Sequence, residues 1–534
     1  MLRPDKHWKV LELDRVLEKL AAVSGNPDAA ALARALTPSG DFKEVSRLLT
    51  ETEAAYRLIG LYGSPSFGGM TNVRSAARRA EAGASLSPRE LLDVAENLRV
   101  YRSLKEWRAR FSDESPLDRL FEGVLPQRQV ENRLTAAILS EEEIADGASP
   151  ALADIRRRIR TAENSVREKL DRLIRSTQFQ KYLQEPVVTI RGDRFVVPGK
   201  LECRSSVPGL VHDTSSSGAT VFIEPTAVVE ANNEIKVLRA TEEAEIERIL
   251  AELSALVGEH ADAIALSYDC AVELCLIFAK GKLGYDMKAS LPLLNEEGRV
   301  RLDHARHPLL DPAKVVPVTV ELGLTFDTLV ITGPNTGGKT VTLKTIGLLC
   351  LMAACGLMIP ARDESQVAVF DLMMADIGDE QSIEQSLSTF SSHMVNLVDV
   401  MEAATDRSLV LADELGAGTD PVEGAALAQA ILEALRRKGC RVAATTHYAE
   451  LKAYAIETEG VENACCEFDV NTLRPTYRLL IGVPGRSNAF AISRRLGLPA
   501  EVVEEAKSLI SVEDKRFEGV VRSLEQARRA AESE

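Results

Sequence analysis

Little in the sequence marks a secreted, fibrous or membrane protein. The eight cysteines are scattered through 534 residues with no Cys-x-x-Cys pair, so reduced core thiols are expected rather than a zinc ribbon or a disulfide framework. No apolar run approaches the roughly 20 residues of a membrane span. The closest, 346–359, stops at Pro360 and reads as a buried helix. The start, Met1-Leu-Arg-Pro-Asp-Lys-His7, lacks the apolar core of a signal peptide, so a cytoplasmic protein without a membrane partner is expected. There are no internal repeats and no low-complexity tracts, and collagen, mucin and channel classes are excluded.

What is present is ordinary soluble-protein composition, 45% hydrophobic and 27% charged. At roughly 100–200 residues per domain the length allows about three domains. The net charge of −16, from 64 Lys and Arg against 80 Asp and Glu, argues against a surface that coats nucleic acid everywhere. Charge is uneven, however. Residues 151–210 carry 13 basic against 7 acidic side chains, whereas 211–262 carry 3 against 11.

The expected organisation is multidomain, α plus α/β. Residues 1–150 read as helices joined by polar loops. In 151–265, two seamed helices flank a β-rich insertion at about 185–225. The first seam runs through Leu152, Ile155, Ile159, Ala162, Val166 and Leu170, the second through Ile235, Leu238, Ile249 and Leu253. This pattern suggests an antiparallel coiled-coil arm, or else two helices in one compact bundle. Arg156, Arg157, Arg158 and Arg160 on the first helix are candidate phosphate contacts, although an arginine run is more often a solvated face. Residues 266–284 return as helix. From 285 to 498, strands at Thr328–Thr332, Ser408–Ala412 and 441–446 alternate with helical segments, which predicts a mainly parallel sheet covered by helices. Residues 499–534 read as a charged helical tail.

Chemistry concentrates in that last α/β region. Gly333-Pro334-Asn335-Thr336-Gly337-Gly338-Lys339-Thr340 fits a phosphate loop, between a strand and a helix. Its glycines let N–H groups turn towards phosphates at the positive end of the helix. Lys339 is then expected to reach the β and γ phosphates, with the Thr340 hydroxyl on Mg²⁺. Asp413-Glu414 ends an apolar strand 74 residues after Lys339, with Asp413 expected on Mg²⁺ and Glu414 as general base for the attacking water. His447, 34 residues past Asp413, suits a γ-phosphate sensor. Its Thr-His ending points to an ABC-type ATPase arrangement, in which a second subunit supplies a serine-bearing segment. Ser388 and Thr389, 25 and 24 residues ahead of Asp413, are the candidates, and a homodimer with ATP and Mg²⁺ as cofactors follows.

These motifs, with Ser-Thr-Phe-Ser-Ser-His-Met394 and Ala-Asp-Glu-Leu-Gly-Ala-Gly-Thr-Asp-Pro421, resemble the ATPase of the MutS family. Phe195-Val-Val-Pro198, Ser205-Ser-Val-Pro-Gly-Leu-Val-His-Asp213 and Gly482-Val-Pro-Gly-Arg-Ser-Asn-Ala-Phe490 look like its second bacterial, mismatch-independent branch. The resemblance covers about residues 1–510. It implies a helical core and lever, a clamp arm, a dimerising ATPase, and no mismatch-reading or connector domains. Phe222-Ile-Glu224 has the Phe-x-Glu spacing of mismatch readers but falls in the arm's β insertion, and is taken as coincidence. The branch continues into an Smr nuclease domain. Only 23 residues follow Ser511, so that domain is expected to be missing and nuclease activity is left open. The resemblance implies a clamp on branched DNA that suppresses homologous recombination. The alternative is a quality-control ATPase that senses stalled or collided ribosomes through ribosomal RNA and splits their subunits.

Overall fold

A computed structural model of the chain describes residues 4–333, 338–378, 389–469, 474–485, 489–495 and 497–509. They form two compact units: Pro65–Ser112 with Leu120–Ala271, and Met1–Ser64 with Asp113–Arg119 and Val272–Glu534. No helix among the described residues is long and apolar enough to cross a membrane. None of the eight cysteines is joined in a disulfide, and six of them are buried.

The unit built from Pro65–Ser112 and Leu120–Ala271 carries two long helices, Pro150–Arg175 and Thr226–Glu259. The first starts where the Ser149 hydroxyl accepts the Leu152 N–H, with Pro150 in the first turn, where its missing N–H costs nothing. The helices run antiparallel. Ser149 bonds Glu245 at 2.6 Å, Arg156 pairs with Glu242 at 2.6 Å and Glu163 with Arg239 at 3.0 Å. Between them in sequence lie strands β1 (Thr189–Arg191), β2 (Arg194–Lys200), β3 (Gly209–Thr214) and β4 (Thr220–Pro225), an antiparallel sheet in the order β1-β2-β4-β3. The β1–β2 hairpin turns through Gly192 and Asp193, at φ 53° and 58°, the two left-handed positions of a tight hairpin. Val166, Leu170, Phe195, Val197, Ile223 and Ile235 form one core between sheet and helices.

Glu224, the penultimate residue of β4, is wholly buried. Its carboxylate accepts two bonds from Arg194, at 2.8 and 2.9 Å, one from Asn232 at 2.8 Å, and meets His212 Nε2 at 2.5 Å. The Phe-x-Glu spacing therefore has a local cause. Glu224 anchors the insertion to the helix Thr226–Glu259 that begins two residues later.

The other unit contains two sheets. The smaller joins β5 (Leu293–Asn295), β6 (Val300–Ala305), β7 (Val318–Leu322) and β9 (Gln366–Ala368) in the order β5-β9-β6-β7. The larger joins β8 (Thr328–Thr332), β10 (Leu372–Asp376), β11 (Ser408–Ala412), β12 (Arg441–Thr445), β13 (Val461–Asp469) and β14 (Arg474–Ile481) in the order β10-β11-β12-β8-β13-β14. All neighbours in it are parallel except β13 and β14. Every residue of β8 and β11 is buried, as expected of strands covered on both faces. Helices Lys339–Ala354, Thr389–Ala403, Pro421–Arg437 and Ala449–Glu457 make the crossovers. Lys339–Ala354 is buried almost all round, which accounts for the longest apolar run; Gly356, at φ 71°, turns the chain just beyond it.

Candidate active site

The carboxyl ends of parallel strands are where such sheets place ligands. Here β8 leads into the phosphate loop, β11 into Asp413-Glu414 and β12 into Thr446-His447, and these three strands are adjacent in the order β11-β12-β8. The motifs, far apart in sequence, meet for that reason. Pro334, Asn335, Thr336, Gly337 and Ser388 lie outside the described residues. Gly333 has φ 123° and Gly338 φ 92°, conformations that a side chain would strain. Thr389 begins the helix that runs to Ala403.

Lys339 is buried, and its ammonium donates to the Gly333 carbonyl at 2.9 Å and lies 2.9 Å from His447 Nε2. Burial pushes its pKa down to about 8, against the pull of the Glu414 and Asp413 carboxylates. Withdrawal of the His447 ring from water, followed by the Lys339 charge, lowers the imidazole below its usual value. With the ring neutral, Nε2 accepts from the Lys339 ammonium. The two side chains thus converge on one spot at the ends of β8 and β12.

On the other side, the Thr340 hydroxyl donates to Asp413 Oδ2 at 2.6 Å, and the Thr445 hydroxyl donates to Asp413 Oδ1. Thr445 in turn accepts the Glu414 N–H at 2.8 Å, while its carbonyl accepts the Leu415 N–H at 3.0 Å. Glu414 has φ 49°, a left-handed conformation that is costly for a side chain of this size and is held here by those bonds. A hydroxyl and a carboxylate in contact form an all-oxygen donor set that fits Mg²⁺. Alongside, a cavity of about 420 Å³ is lined by Gly338, Val341, Thr342, Thr345, His307 and Tyr477. Its apolar walls beside the phosphate loop suit a flat base.

Thr445, Tyr477 and Asp376 were not singled out by sequence reasoning. Thr445 had a signal in Thr445-Thr-His447, where attention goes to the histidine. Asp376 and Tyr477 had none, because their importance depends on strand order. The arginine run is placed on one helix with every member paired. Arg156 is held by Glu242 and Asp146, Arg157 by Asp154, Arg158 by Glu234 at 3.7 Å and Arg160 by Asp146 at 3.2 Å.

Strand order, loop position and acidic strand end together define a P-loop α/β unit. Residues 329–512 match the family model for MutS domain V. Endonuclease MutS2 of Acetivibrio thermocellus is 50% identical over 534 residues, covering 99% of this chain and 67% of the relative. Endonuclease MutS2 of Clostridium perfringens is 52% identical over 533 residues, covering 99% and 68%. That of Ruminiclostridium cellulolyticum is 51% identical over 531 residues, covering 99% and 67%. The chain belongs to the MutS2 branch of the MutS family, and it spans about two thirds of the length of these relatives.

Proposed function

We propose that the chain is a Mg²⁺-dependent ATP hydrolase that works as a homodimeric clamp on branched DNA and suppresses homologous recombination. Membership of the MutS2 branch supports an ATPase acting on DNA. The observation that carries the catalytic reading is the meeting of Lys339, His447, Thr340, Asp413 and Glu414 at three adjacent strand ends. Thr340 and Asp413 hold Mg²⁺, which neutralises phosphate charge when bound. Lys339 binds the β and γ phosphates, within a cradle completed by Gly333 to Gly338. Glu414 orients the attacking water and accepts its proton, and His447 donates to the γ phosphate. Ser388 and Thr389 of a second copy complete the site in trans. In this reading 1–150 is core and lever, 151–265 the clamp arm and 285–498 the ATPase.

Arg157, Arg158 and Arg160, more than half exposed, are proposed as nucleic-acid contacts. Their surface ion pairs are worth only about 0–1 kcal/mol each and exchange readily for phosphate. Arg156, one-fifth exposed, is committed to holding the two helices together. The test is ATP turnover titrated with four-way-junction DNA or with collided ribosomes. Stimulation by junctions supports the clamp, and stimulation by ribosomes alone replaces it with ribosome rescue. Glu414→Gln is expected to lower kcat by about 10²–10⁴ while ATP still binds.

A further inference from the structure

The C-terminal end of β10 joins two parts of the site that are distant in sequence. Asp376 is 6% exposed, and both of its carboxylate oxygens point to the helix Thr389–Ala403. Oδ2 lies 2.9 Å from His393 Nδ1, and Oδ1 accepts from Asn396 Nδ2 at 2.8 Å. The main-chain carbonyl of the same residue accepts the Asp413 N–H at 2.7 Å. Asp376 thus grips the first turns of the helix with its side chain and the acidic strand end with its backbone. The two side-chain bonds lie outside the regular helix pattern, and the main-chain bond is the last rung of the parallel β10–β11 ladder.

We infer that His393 and Asp376 form a positioning pair that sets the helix starting at Thr389 against the Asp413 strand end. This inference rests on the reading of Ser388 and Thr389 as the segment given to a partner's nucleotide site. His393 lies one helical turn beyond Thr389, so its bond fixes the rotation and height of that end of the helix. It touches neither nucleotide nor metal in this account. Its loss therefore leaves binding by Lys339 and Thr340 in the same chain untouched and weakens what the helix offers to the other chain.

The donor, not the bulk, is what the bond needs. His393→Asn places an amide N–H near the position of Nδ1, whereas His393→Leu keeps volume without a donor. The experiment measures kcat, ATP affinity and thermal midpoint for both variants, beside wild type and Ser388→Ala. Expected are a kcat about tenfold lower in His393→Leu with ATP affinity within about twofold, and recovery to within about threefold in His393→Asn. Unchanged kcat in His393→Leu overturns the inference. So does a parallel fall of kcat, affinity and midpoint in both variants, which is a structural role only. If His393→Leu does not fold, His393→Asn alone decides: kcat about tenfold below wild type with a normal midpoint contradicts the pair. If Ser388→Ala keeps full turnover, the trans reading fails and the inference with it; turnover lost in Ser388→Ala but kept in His393→Leu removes the inference alone.

Discussion

Thr445 does two jobs with one oxygen. It donates to Asp413 and accepts from the Glu414 N–H, so one hydroxyl orients both carboxylate-bearing residues. Thr445→Val keeps the shape and removes both bonds. A buried N–H left without an acceptor costs about 1–3 kcal/mol, readable by chemical denaturation. Because Glu414 loses its support, kcat should fall about tenfold at unchanged ATP affinity. His307 makes a different prediction. It is buried, its Nδ1 accepts the Leu309 N–H at 3.4 Å, and burial pushes its pKa down to about 4. The unfolded chain, with an ordinary imidazole near 6.5, binds more protons between the two values, so stability rises with pH across that window. Acidification from pH 7 to about 4 should cost about 3 kcal/mol through this residue. The stability difference between wild type and His307→Asn, followed over that range, should shrink as pH falls. A constant difference would refute it.

At the scale of elements, much was legible beforehand. Thr328–Thr332 and Ser408–Ala412 have the strand limits read from their apolar runs, because a doubly covered parallel strand is a short apolar block with clear punctuation. The β-rich insertion read at about 185–225 contains a tight hairpin at Gly192-Asp193, where two left-handed residues suit Gly and Asp. β3, by contrast, was missed. Its residues are mostly exposed, and only pairing with β4 makes them a strand. The smaller sheet escaped because β5 and β9 have three residues each. Of the candidate site, Lys339, Thr340, Asp413, Glu414 and His447 are named from contiguous motifs, whereas Asp376, Tyr477 and Thr445 come into view only through the packing around those strand ends. Glu224 shows the same lesson inside the β insertion. With Arg194, Asn232 and His212 all turned to it, Glu224→Ala leaves a guanidinium facing an empty site. A loss of about 3–5 kcal/mol is expected, with unfolding of the insertion seen by hydrogen exchange in β2 and β4. Protection equal to wild type would mean that the apolar core alone holds it.

For the whole molecule, one unit carries the P-loop sheet and the other carries two long antiparallel helices. The net charge of −16 makes any nucleic-acid contact local, and the basic stretch 151–210 is its candidate place. Junction affinity should then fall steeply with salt, and replacing Arg157, Arg158 and Arg160 by Ala should lower the slope by about two to three counterions. An unchanged slope would move the contact elsewhere.

We propose that each ATP site is built from two chains. Mixing Lys339→Ala with Ser388→Ala tests it most directly. Each variant alone should turn over ATP at the blank rate. In an equal mixture, a hybrid dimer carries one intact site, with Lys339 from one chain and Ser388 from the other, so turnover should recover to roughly a quarter of wild type. A mixture that stays at the blank rate would contradict a shared site and return the whole of the chemistry to a single chain.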